Sequence, residues 1–167
     1  MANMLRDGVR AVILRELRAL DREIAAYPDD GSVWQTRAGV ANSAGTLALH
    51  MAGNLRHFIG ATLTDNGYVR DRAAEFGTRD LSRSELRAVV ASAISELEIA
   101  FEKVTDDHLA AEYPIAVADR RLNTGQFLMH LAVHLGYHLG QLDYHRRLLT
   151  ESTAPVDTVS PKELPPR

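Results

Sequence analysis

Apolar side chains recur at steps of three and four along four stretches of the chain, with charged or small polar residues between them. That spacing puts the apolar groups on one stripe of an α-helix. The first stretch, Met4 to Tyr27, carries Leu5, Val9, Val12, Ile13, Leu17, Leu20 and Ile24, and the turn residues Pro28-Asp29-Asp30-Gly31 end it. The second opens at Asn42 or Ser43, either able to cap free backbone N–H groups, and runs to about Leu63. One broad face there holds Leu47, His50, Met51, Asn54, Leu55, Phe58 and Ile59. The third starts with Ser82 and Glu85 at capping-box spacing and continues through Leu86, Val90, Ile94, Leu97 and Phe101. The fourth opens at Asn123, with Gln126 three residues on, and ends near Thr150.

No alternating strand pattern competes with these helices, so the pattern predicts an all-α fold, a four-helix bundle. Two connections are long, Thr64 to Leu81 and Asp106 to Leu122. A simple up-down bundle needs only short loops, whereas an 18-residue link between the second and third helices can cross from one end to the other. The second connection has room for a short turn or a brief extended piece. Trp34, the only tryptophan, is expected to plug one end of the core. Residues 1–150 form the bundle. Residues 151–167, with Pro155, Pro161, Pro165 and Pro166, form a tail expected to be poorly ordered.

Composition narrows the function classes. The 167 residues are 46% apolar and 25% charged, as in one globular domain. Nineteen basic residues stand against 22 acidic ones, which leaves no electrostatic footprint for nucleic acid. Cysteine is absent, which excludes disulfides, thiolate metal sites and a protein thiol nucleophile; any sulfur chemistry needs an external thiol. The first ten residues already carry Arg6, Asp7 and Arg10, and no apolar run reaches 18 residues, so the expectation is a soluble cytoplasmic protein with no membrane partner. Phosphate-binding glycine loops, the Gly-x-Ser-x-Gly elbow and the His-Glu-x-x-His motif are all missing.

What remains is histidine. Of seven, four fall on the fourth helix: His130, His134, His138 and His145. At about 100° per residue, each four-residue step turns the face by only about 40°. The first three rings therefore share a stripe, and His145 returns to the same side. A row of imidazoles facing a core is costly unless each ring nitrogen finds a partner, and a divalent metal supplies one for two rings at once. His50, set in the apolar face of the second helix, is a third imidazole that a neighbouring helix can bring to the same point. His57, seven residues on, and His130 are rival ligands; His108 and His145 read as surface groups. Gly136 and Gly140 lie away from the stripe, at a spacing that suits close approach of another helix within the monomer or across a dimer. Arg120-Arg121 and Arg146-Arg147 read as solvated surface.

The segments Leu47-Ala-Leu-His50-Met-Ala-Gly-Asn54-Leu-Arg-His57-Phe and His134-Leu-Gly-Tyr-His138-Leu-Gly-Gln141 resemble, in this order, the DinB/YfiT-like metal-binding superfamily over about Met4 to Leu149. The resemblance implies a down-up-up-down bundle and a divalent metal held by His50, His134 and His138, with His130 outside the ligand set. Zinc or nickel comes first, iron or copper second. It also implies homodimers and, in characterised relatives, transferases and isomerases that use a low-molecular-weight thiol. The expected function is accordingly a metal-dependent thiol S-transferase or hydrolase acting on a small molecule. The rival is a non-catalytic metal-binding or structural bundle. Gln141 and Asn54 are candidates to orient a ligand, and Arg56 or Arg120 to bind a thiol. No general base is evident; Tyr137 and Asp143 share the ligand helix.

Overall fold

A computed structural model describes residues 4–165. Residues 1–3 of the chain, and Pro166 and Arg167 of the Pro-rich tail, lie outside the described residues. Four long helices carry the fold: α1 (Met4–Ala25), α2 (Ala44–Leu55), α4 (Arg83–Lys103) and α6 (Thr124–Thr150). Two short ones sit in the long connections, α3 (Arg72–Gly77) between α2 and α4, and α5 (Asp106–Ala110) between α4 and α6. No named strand occurs among the described residues, and only two isolated bridges, Glu112 with Asn123 and Val117 with Arg120, interrupt the second connection.

The helix starts fall where the capping residues predict them. Ser43 accepts the Thr46 N–H, Ser82 and Glu85 form a full capping box, and Asn123 accepts the Gln126 N–H. The Asn123 amide also donates to the carbonyls of Leu109 and Ala110 and so ties the end of α5 to the start of α6. Beyond Leu55 the second helix does not stay regular. Residues Arg56–Ala61 are π-helical before a last turn at Thr62–Thr64. The Thr62 hydroxyl donates to the His57 carbonyl and the Thr64 hydroxyl to that of Gly60, which occupies backbone acceptors in the wide turn.

Side-chain contacts fix the direction of each helix. Along α1 and α4, Arg6 meets Val104, Arg18 meets Glu98 and Asp21 meets Arg87, so the pair is antiparallel. Between α1 and α6, Leu5 lies against Gly125 and Glu23 pairs with Arg146, so that pair is parallel. His50 meets His138 while Phe58 meets Phe127, which makes α2 antiparallel to α6. The bundle is therefore down-up-up-down, and the crossover through α3 returns the chain to the end where α2 began. Each of α1 and α2 packs on both α4 and α6. The core between them includes Leu17, Leu20, Met51, Leu55, Leu97, Phe101, Leu135 and Leu139, all at most 2% exposed. No described helix is long and apolar enough to cross a membrane.

Trp34 closes one end as expected. Its indole N–H donates to the Leu81 carbonyl at 2.8 Å, and its ring sits where a Cβ on Gly45 would fall, 2.6 Å from Cζ3. One surface expectation changes, and one of the two readings of the glycine pair falls away. Arg146 is buried at 2% exposure, because α1 presents Glu23 to it and Asp143 lies one turn before it. Gly136 and Gly140 approach no other helix in the monomer, since a Cβ on either would meet nothing within 4 Å. Along the tail, Arg22 donates to the carbonyls of Val156 and Asp157 and pairs with Glu163, and Arg147 donates to the carbonyl of Thr153.

Candidate metal centre

The antiparallel pairing of α2 with α6 brings His50 between His134 and His138. The three rings stand 4.5 to 5.4 Å apart, centre to centre, each nearly perpendicular to the other two. One ring nitrogen from each lies within 4.8 Å of the other two. His50 is buried at 6% exposure, and the α6 pair is half-buried, so the cluster has a sealed side on α2 and an approachable side on α6.

Neighbours set the state of each ring. Nδ1 of His50 donates to Oε2 of Glu75 at 3.0 Å, which leaves Nε2 with its lone pair. Nδ1 of His138 donates to Oε1 of Gln141 at 2.7 Å, with the same result. Nε2 of His138 and Nε2 of His134 are 3.1 Å apart; with the proton of His138 already on Nδ1, His134 is the donor in this contact. Burial, followed by the neighbouring imidazoles of His138, His50 and His130 and by Arg70, pushes the His134 pKa down to about 4. Burial also lowers that of His50, against the pull of Glu75. Both are neutral at pH 7, the form in which imidazole binds metal.

This donor set fits a divalent ion. Two nitrogens bound tetrahedrally to one zinc at about 2.0–2.1 Å each stand about 3.3 Å apart, close to the 3.1 Å found between His134 and His138. Glu75 and Gln141 then supply the hydrogen bonds at the far nitrogens that metal-bound histidines usually make. Glu75 comes from α3 in the crossover, capped by Asp71, and Arg70 holds it through both carboxylate oxygens at 2.6 and 2.8 Å. Burial pushes the Glu75 carboxyl up, but its bonds from Arg70 and His50 prevail and hold it below its ordinary value. Phe76, the next residue, packs its ring 5.0 Å from that of His50.

The other histidines fall elsewhere. His130 is exposed, stacked on Phe127, with its ring 6.1 Å from that of His134; it is outside the cluster and lines an apolar cleft of about 310 Å³ with Val117, Arg120 and Leu122. His57 lies in the π-helical segment against Phe58, also outside the cluster. His108 belongs to the cap of α5, where it accepts the Thr105 N–H. His145 is not a surface group. It is 3% exposed, with Nδ1 on the Tyr27 hydroxyl at 2.7 Å and Nε2 donating to the Gln35 carbonyl at 2.9 Å. Arg56 is paired with Glu96 and lies over the Tyr68 ring. Asn54 is buried, its Oδ1 without a hydrogen-bond partner among the described residues. Tyr137 is exposed, and Asp143 is committed to Arg146 and Arg147. Sequence reasoning missed Glu75 and Arg70. The available signal was Asp71 as a cap and Gly77 as a stop, which together mark a helical turn inside the crossover.

Fold and cluster define an all-α bundle with three imidazoles converging between its second and last long helices. The chain matches the family model described as "Protein of unknown function (DUF1572)" over residues 3–161, and it belongs to that family. No curated protein matches it.

Proposed function

We propose that His50, His134 and His138 hold a divalent metal, zinc or nickel before iron or copper, and that the chain is a DinB-like metal-dependent enzyme, a thiol S-transferase or a hydrolase. The observation that carries this reading is the convergence of three imidazoles, with the outer nitrogens of His50 and His138 already held by Glu75 and Gln141. A metal bound there supplies a Lewis acid that lowers the pKa of a coordinated thiol or water. The protein's own charges around it cancel. Imidazoles bound to a metal carry none, and Arg70 neutralises Glu75, so the ion's charge favours an anionic fourth ligand such as a thiolate. The half-buried side on α6 gives access for a small substrate, and the cluster contains no fourth His or carboxylate among the described residues.

The same helix supports a homodimer. Val133, Tyr137, Tyr144 and Leu148 are 63–71% exposed, and Gly136 and Gly140 lie among them with open space beyond each. A second copy of α6 would cover this face and border the metal site, in a protein we place in the cytoplasm.

The test is turnover. Zinc- or nickel-loaded protein is given low-molecular-weight thiols with chromogenic electrophiles and, separately, ester and amide substrates, beside His134→Ala. The proposal expects a metal-dependent rate in at least one series that the variant loses. Equal rates for loaded wild type and variant in every series would leave the non-catalytic reading.

A further inference from the structure

The cluster is tied to the crossover through one side chain, and α2 has a specific opening for it. Gly53 stands three residues after His50, on the same side of α2. Glycine inside a helix is unfavourable, so its presence there marks a close approach. The approach is that of Glu75. A Cβ on residue 53 would lie 2.3 Å from Oε1 and 2.9 Å from Cδ of Glu75. The carboxylate occupies the space a side chain at 53 would take, and from there its other oxygen reaches Nδ1 of His50. Glu75 is 5% exposed, and Arg70 holds it from the far side.

We infer that Glu75 is a positioning residue that fixes His50 as the Nδ1–H tautomer with Nε2 turned to His134 and His138, and that Gly53 is the position on α2 that admits it. His50-x-x-Gly53 is then one unit, a ligand together with the opening for its orienting carboxylate. The helical turn of α3 brings that carboxylate across from the crossover. The inference rests on the metal reading only for its consequence in affinity; the tautomer is a property of the metal-free chain.

Gly53→Ala is a sensitive probe because it keeps every polar group. Alanine is the better helix former, and the atoms it meets are the far end of a flexible side chain, so Glu75 moves and α2 does not. Long-range ¹⁵N–¹H correlation of the metal-free chain is expected to show the Nδ1–H form of His50 in wild type and a mixture in G53A and E75A. Against a chromophoric chelator, the zinc dissociation constant is expected to rise roughly 10- to 100-fold in each variant. The double variant G53A/E75A should be no weaker than the weaker single, because both act through one contact. E75Q, which keeps an acceptor, should retain the tautomer.

An Nε2–H form in wild type, a G53A variant indistinguishable from wild type, additive losses in the double variant, or loss of the tautomer in E75Q would each overturn the inference. If wild type binds no zinc, the metal reading falls and the tautomer measurement alone decides this one. Circular dichroism checks that G53A folds; should it not, E75A and E75Q carry the test.

Discussion

Helix α6 carries two polar clusters built around histidine, and they end differently. At one, His145 has both ring nitrogens satisfied by protein, Tyr27 on one side and Gln35 on the other, and Arg146 beside it is sealed against Glu23. At the other, two turns earlier, His134 and His138 face each other and His50, and their inner nitrogens have chiefly one another. The histidine of the first cluster is complete as folded, and the cluster holds α1 to α6. The second has outside partners for two of its rings, Glu75 on His50 and Gln141 on His138, while its inside offers only the contact between His134 and His138. A buried histidine is structural when the protein completes it and a candidate ligand when the protein completes only its outer nitrogen.

The largest way to break that contrast is Arg146→Ala. It strands Glu23, which burial, with help from the neighbouring Asp143 carboxylate, already pushes above its ordinary pKa despite Arg146. Removing one partner of a buried pair costs about 3–5 kcal/mol, so urea unfolding should show a loss of that order while zinc affinity stays unchanged. His134→Ala should do the reverse. Zinc at 100 times its dissociation constant adds about 2.7 kcal/mol to a binding protein, and thermal melts with and without zinc should lose this increment in the variant, with little change in the metal-free melt.

A third prediction concerns pH. Burial first, then neighbouring positive charge, holds the folded pKa of His50, His57, His134 and His145 below 6.5. As pH falls through 6.5 the unfolded chain takes up these protons before the folded chain does. Stability is therefore full above that value and declines below it until each lowered folded pKa is reached, near 4 for His134. A single such group contributes a slope of at most about 1.4 kcal/mol per pH unit, less where it is partly exposed as His57 is, and urea midpoints in chelator should fall from pH 7 to 5. Saturating zinc should flatten the upper part of that decline, because bound ligands stay neutral. The smallest effect is expected from Tyr27→Phe, which takes the hydroxyl from Nδ1 of His145 and costs about 1 kcal/mol by the same unfolding measurement, with no change in zinc binding.

The contrast also explains what could be read before the fold was known. Ser43, Ser82 with Glu85, and Asn123 act within three residues of themselves, so the helix starts were legible. His134 and His138 were legible because four-residue spacing fixes a shared face, and His50 because it interrupts an apolar one. Local spacing cannot say what another element presents. His145 and Arg146 read as surface because Tyr27, Gln35 and Glu23 are more than a hundred positions away. Glu75 was invisible for the same reason: it meets His50 across 25 residues of chain. The π-helical widening at Arg56–Ala61 has no marker in the apolar pattern, which runs through it unbroken.

The central claim is that the inner nitrogens of His50, His134 and His138 are completed by an ion. Its most direct test is metal content by elemental analysis of the full chain purified without a polyhistidine tag, after incubation with zinc or nickel and exhaustive removal of unbound ion. The account predicts about one metal per chain in wild type and none in His50→Ala or His134→Ala, with both variants folded. A wild type without metal, or variants that retain it at wild-type stoichiometry, would contradict the account.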